Sequence, residues 1–187
     1  MKLIRSLHSA VKISFAVLLL SCTLMANAAV DIFLELDGIE GESRDNDFNA
    51  SIDVIAFSQG ASNNTGFQSG GGTTQSAPVF QAMSLTKYID RSSPILRLRL
   101  AQGALIRSAK LSVRKAGRVP LVYFIVELKN VTVTSVSSGG SGGEDRLTEN
   151  LSLSYTEIKW TYVEQKDDGS VGDTIVEGWN LQTNTKL

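Results

Sequence analysis

From Val30 onward, apolar residues recur in short runs of period two, separated by stretches rich in Gly, Ser, Asn and Asp. That patterning constrains the fold more than any motif. Alternation places side chains on opposite faces of a strand, and frequent turn signals leave little room for helices. Residues 30–36, 52–57, 79–89, 109–114, 121–135 and 174–180 each read as a strand. Tyr123 to Val126 is apolar on both faces, which predicts burial between layers. Leu151, Leu153 and Tyr155 share one parity and Ile158, Trp160 and Tyr162 the other, which predicts a bulge or bend near Thr156 and Glu157. Asp167-Asp168-Gly169 is a turn. Segment 37–49 reads as a protruding loop and segment 59–77 as a mobile one.

One segment carries conflicting signals. Ser93 can cap a helix and Pro94 suits the first helical position. Leu96-Arg97-Leu98-Arg99-Leu100, however, alternates like a strand. The cap tips the balance to a short helix ending by Gly103. Many strands, long loops and at most one helix indicate a mainly β domain, a closed barrel or a sandwich. The 187 residues suffice for one domain with a real core.

The first 28 residues stand apart. Lys2, Arg5 and Lys12 precede an apolar run from Ile13 to Leu20, and Ala26-Asn27-Ala28 has the small-x-small form of a signal-peptidase site. Residues 1–28 therefore read as a secretory signal peptide cut between Ala28 and Ala29, with residues 29–187 as the mature domain. The apolar run is too short to span a membrane, so no stable insertion is expected after cleavage. Leu19-Leu20-Ser21-Cys22 only loosely fits a lipid-attachment box.

Cleavage would remove the only Cys (Cys22), the only His (His8) and three basic residues, moving the formal net charge from −1 to −4. The mature chain could then use no disulfide, thiolate, imidazole base or ordinary zinc site. Nothing in this balance attracts nucleic acid.

Other chemistry is equally unsupported. Gly139 to Gly143 is Gly-rich but lacks the Gly-Lys-Ser/Thr ending of a P-loop and runs into Glu144-Asp145, which repel phosphate. Asp37, Glu40, Glu42, Asp45 and Asp47 form an acidic loop without the EF-hand pattern, read as solvated rather than as a metal site. No carboxylate pair is singled out by spacing for a hydrolase. No catalytic residue, cofactor or metal is assigned. As a linker the Gly-rich stretch also fails, because the residues after it are needed to complete a sheet. It reads as a protruding loop whose charged end offers Glu144, Asp145, Arg146 and Glu149 for pairing.

The stretch SVSSGGSGGEDRLTENLSLSY, preceded by VYFIVELKNVTV, closely resembles the Hcp (haemolysin-coregulated protein) family, the tube protein of type VI secretion systems. AVDIFLELDGIEGESRD, IDVIAFSQG, SLTKYIDRSSP, AKLSVRKAG and EGWNLQTN follow the family's order, so the resemblance covers nearly all of the mature chain. It implies a β-barrel of two packed antiparallel sheets with one short side helix, which assigns the ambiguous segment to helix. It also implies a structural protein rather than an enzyme. Its copies would form homohexameric rings that stack into a hollow tube, with sheath, spike and small effector proteins as further partners.

By analogy, Gly41, Glu42, Ser43, Arg44 and Asp45, together with Gly139, Gly140, Gly142, Gly143, Glu144, Asp145 and Arg146, are subunit-contact candidates. Tube-building members begin at the first strand without an export signal. Here the family-like start Ala29-Val30-Asp31 coincides with the predicted cut. The alternatives are translation from Met25 in the cytoplasm, or an exported relative acting as a periplasmic or secreted binding module without stacking.

Overall fold

Alternation along the strands closes into a barrel. The computed structural model describes residues 30–63, 65–67, 73–75, 77–116, 120–143 and 145–187; the predicted leader and its cut at Ala28–Ala29 lie outside them. The strands are β1 (Val30–Leu36), β2 (Ile52–Ser58), β3 (Ala61–Ser62), β4 (Thr65–Phe67), β5 (Thr73–Gln75), β6 (Val79–Phe80) and β7 (Met83–Tyr88). Helix α1 (Ser92–Gln102) follows, then β8 (Leu105–Lys115), β9 (Leu121–Gly139), β10 (Thr148–Ser154), β11 (Glu157–Gln165), β12 (Val171–Asn180) and β13 (Thr185–Lys186). Six strands pair antiparallel in the order β10-β7-β2-β1-β8-β9, and β9 pairs β10 to close the ring. Leu34, Leu36, Met83, Leu85, Leu111, Leu128, Leu151 and Leu153 fill the interior. Closure removes the sheet edges that an open sandwich would leave.

Strand β9 belongs to two structures. Up to Lys129 it pairs with β11, and from Thr132 onward with β10. The switch falls at Asn130, whose φ is +50°, a left-handed conformation that Asn tolerates better than most residues. Across the corner the Asn130 side-chain amide donates to Thr156 Oγ1 at 2.9 Å, and the Thr156 N–H to Lys129 O at 3.0 Å. The parity change at Thr156 is thus the bend that sends β11 outward. Beyond it, β11, β12 and β13 extend β9 as a wing outside the barrel. Tyr123, Phe124 and Ile125 are only half-buried because their stretch of β9 carries this wing rather than lying between two layers.

Helix α1 confirms the side helix, with its start shifted. It begins at Ser92, so Pro94 is its third residue, where no backbone donor is needed. Asp90 Oδ1, not Ser93, takes the free N–H of Ser92 at 3.0 Å, while Ser93 Oγ accepts from Asp90 N–H at 3.1 Å. Gly103, at φ +59°, ends the helix. Leu96 is fully buried and Leu100 packs on the core, while Leu98 is exposed. Residues four apart share a helix face, so the alternating Leu and Arg do not require a strand.

Other elements differ from the strand reading in extent. Strand β8 begins four residues earlier than the alternation suggested, and segment 79–89 breaks at Gln81, whose N–H bonds Gly60 O at 2.9 Å. Segment 59–77 carries β3, which pairs with β6 beyond it, and the short β4–β5 ladder.

Candidate assembly surfaces

Loop 37–50 does not protrude along its whole length. The chain reverses at Asp37-Gly38 and returns over the outer face of β1. Ile39, Gly41 and Ser43 are buried; Glu40, Glu42 and Arg44 face solvent. Gly41 donates its N–H to Ala50 O at 2.7 Å, and a Cβ there would lie 2.3 Å from the Ser51 carbonyl oxygen. Only glycine permits that approach.

The far end of the loop is pinned. Phe48 stacks on Phe33 with centroids 4.3 Å apart, and the Arg114 guanidinium lies 5.0 Å above Phe33. Arg114 donates to Asp45 at 2.9 Å and to Asp31 at 3.0 Å. The Arg114 hydrogen bond holds the Asp45 carboxyl below its ordinary range, and Asp45 in turn raises the Arg114 guanidinium. Asp45, a contact candidate from the sequence, is therefore engaged within its own subunit. Its acidic neighbours are engaged too: Asp37 with Arg107, Glu40 with Arg91 and Asp47 with Arg114. Among the described residues no group of three His, Cys, Asp or Glu side chains could hold a metal ion.

The Gly-rich segment is largely a hairpin. Ser137, Ser138 and Gly139 end β9, paired with Asn150, Glu149 and Thr148 of β10. The turn itself holds Gly140, Gly142, Gly143, Asp145 and Arg146; Glu144 lies outside the described residues. Gly143 needs its glycine, with φ at +111°. A Cβ on Gly139 or Gly142 would meet nothing within 4 Å, so neither is required by its own subunit's packing. The Arg146 guanidinium lies 4.1 Å above the Tyr88 ring.

Beneath this tip, an ion network closes the barrel mouth. Inward parity brings Lys87 of β7 and Glu149 of β10 into the interior, where both side chains are 0% exposed. Lys87 Nζ lies 2.9 Å from Glu149 Oε1 and donates to Asp90 Oδ1 at 2.7 Å and Tyr88 O at 2.8 Å. Ser93 Oγ donates to Glu149 Oε1 at 2.6 Å, and Arg97 reaches both Glu149 and Ser138. The lone parity of Lys87 among Met83 and Leu85 was the available signal. Of the acids at the tip's charged end, Glu149 finds its partners inside the subunit.

Loop 37–50, the start of α1 and the hairpin tip surround a polar concavity of about 640 Å³, lined among others by Arg44, Arg91, Arg146, Glu42 and Asp53. Of the contact candidates, Gly41, Glu42, Ser43 and Arg44 thus meet Arg146 around one concavity. The wing offers a second surface. Strand β13 covers only Trp179 and Asn180 of β12, so among the described residues no strand borders the outer edge of residues 171–177. Ile175 and Val176 are 59% and 51% exposed, and Tyr162 opposite Ile175 is exposed too. No helix among the described residues is long and apolar enough to cross a membrane.

A family profile described as "Type VI secretion system effector, Hcp" matches residues 33–162. The chain is 43% identical over 160 residues to Protein hcp1 of Pseudomonas aeruginosa, spanning 84% of this chain and 99% of that one. A solved structure of a type six secretion system protein superposes with TM-score 0.81 at 31% identity, covering 85% of this chain and all of that one. Hcp1 from Salmonella typhimurium superposes with TM-score 0.72 at 33% identity, covering 85% and 99%.

Proposed function

The chain belongs to the Hcp family of type VI secretion system proteins, and from that membership we propose that it works by self-assembly, as the subunit of hexameric rings that stack into a secretion tube. The observation that carries this reading is the open edge of β12. A strand edge with no partner among the described residues, and with Ile175 and Val176 exposed, is a template for another chain and an aggregation hazard in a monomer. A ring uses such an edge by joining it to a different surface of the next copy. Sheath, spike and small effector proteins are the further partners that go with this reading, and its role is structural rather than enzymatic.

Light scattering and negative-stain microscopy of the purified domain 29–187 test it. Six-subunit rings are expected; a strict monomer at high concentration would overturn the reading.

The leader-like segment 1–28 favours a second reading, an exported relative that keeps the fold as a binding module without stacking. The intact mass of the native protein in cytoplasmic and periplasmic fractions separates the two. A periplasmic species beginning at Ala29 supports export, whereas a cytoplasmic species beginning at Met25 supports ordinary tube duty.

A further inference from the structure

The two segments that carry the contact candidates, loop 37–50 and the hairpin tip, are tied to one buried ammonium group. Lys87 Nζ has three N–H donors, which go to Asp90 Oδ1 at 2.7 Å, Tyr88 O at 2.8 Å and Ser93 Oγ at 3.2 Å. Its charge faces Glu149 Oε1 at 2.9 Å, and neither side chain is exposed to water. A well-packed apolar pair of similar volume commonly serves a core at least as well, so stability alone does not account for charge at this place.

From Lys87 the bonds divide. One branch runs through Glu149 to the tip. Glu149 pairs with Ser138 near the end of the β9–β10 ladder, and Arg97 of α1 bonds both side chains. Beyond the tip the chain returns to the end of β7, where Ile89 N–H donates to Leu147 O at 2.9 Å. The other branch runs through Asp90, whose Oδ1 also takes the Ser92 N–H at 3.0 Å and so fixes the start of α1. Beside it, Arg91 N–H donates to Glu42 Oε1 at 3.0 Å, and the Arg91 guanidinium reaches Glu40. Glu40 and Glu42 are outward-facing residues of loop 37–50. Lys87 does not line the concavity between loop and tip, yet both walls lead back to it.

We propose that Lys87 is a positioning residue for assembly: through Glu149 and Asp90 it holds the hairpin tip and loop 37–50 in one fixed arrangement, the one a neighbouring copy must meet. This rests on the ring reading above. A contact made by two loops at once is favoured when both are already in place, because ordering them on contact opposes association.

The test is amide hydrogen exchange together with light scattering on the purified protein and its K87M/E149L variant. Two amides report on the two branches, Ile89 N–H for the tip and Arg91 N–H for loop 37–50. Both are expected to exchange about tenfold faster or more in the variant, while β1 and β8 keep their protection and ring yield falls. S93A removes only the hydroxyl that joins Lys87 to Glu149 and leaves both charges in place. It is expected to move both reporters in the same direction, and it decides the matter if the double variant does not fold. Unchanged exchange at either reporter overturns the proposal, as do faster exchange with undiminished rings and a loss of protection spread over the whole barrel. A wild-type chain that makes no rings overturns the ring reading itself, while the two reporters still decide whether Lys87 couples the loops.

Discussion

Lys87 and Glu149 form an ion pair inside an otherwise apolar barrel, 2.9 Å apart and sealed from water on both sides. Desolvating two such groups costs several kcal/mol per ion, so the pair holds only because Asp90, Ser93, Tyr88 and Arg97 satisfy the remaining donors and acceptors. Breaking the pair should therefore differ sharply from replacing it. K87M or E149L alone is expected to destabilise the fold by about 3–5 kcal/mol, while the double variant recovers most of that loss. Denaturant midpoints at constant m check this. A double variant as unstable as either single would show that the network is not a matched unit.

Asp45 gives the fold a specific acid sensitivity. Its pKa is depressed below 3.8 by the Arg114 hydrogen bond, so its contribution is complete above that value and lost as pH falls through the folded-state pKa. D45N should be less stable than wild type at neutral pH. The gap should begin to narrow near pH 3.8 and then close. Paired unfolding curves across an acid titration check it; a gap that persists undiminished would contradict the assignment.

Gly41 and Gly142 should respond differently to the same substitution. G41A drives a Cβ against the Ser51 carbonyl and is expected to cost about 1–3 kcal/mol. G142A meets open space and should leave the isolated subunit's thermal midpoint nearly unchanged. Any defect of G142A confined to assembled particles would then belong to a contact with another copy.

Asn130 tests the corner. Its left-handed backbone predicts that N130A loses about 1 kcal/mol or more and that N130G loses less, since glycine adopts that conformation freely. Equal losses would point instead to the Thr156 hydrogen bond.

Ile175 tests the wing edge. Because the residue is exposed, I175D should change subunit stability by less than about 0.5 kcal/mol. It should nevertheless reduce rings to smaller species in light scattering. Undiminished rings would remove this edge from the interface.

The barrel was legible because period two survives in Met83, Leu85, Leu151 and Leu153, whose burial needs no knowledge of topology. The parity flip at Thr156 likewise announced a bend. Its counterpart at Asn130 was hidden inside a continuous apolar run, since a backbone twist at one polar residue leaves the alternation on either side plausible. The ends of the helix show the same limit: Asp90 and Ser93 both carry capping groups, and only the hydrogen bonds decide between them. At the candidate surfaces, charge was visible but pairing was not. Asp45 and Glu149 looked available in the sequence, and long-range contacts with Arg114 and Lys87 consumed both. Arg146 looked free as well, yet it lies over the Tyr88 ring, whereas Arg44 meets no carboxylate among the described residues.

Strand β9 has a mechanical consequence. It runs from Leu121 to the hairpin tip at Gly139, bonded to β8 on one side and to β11 and then β10 on the other. Antiparallel bonds lie perpendicular to their strands. A push or pull between the two ends therefore loads that ladder in shear, with many bonds sharing the force, rather than peeling it one bond at a time. The subunit is therefore stiffest along β9.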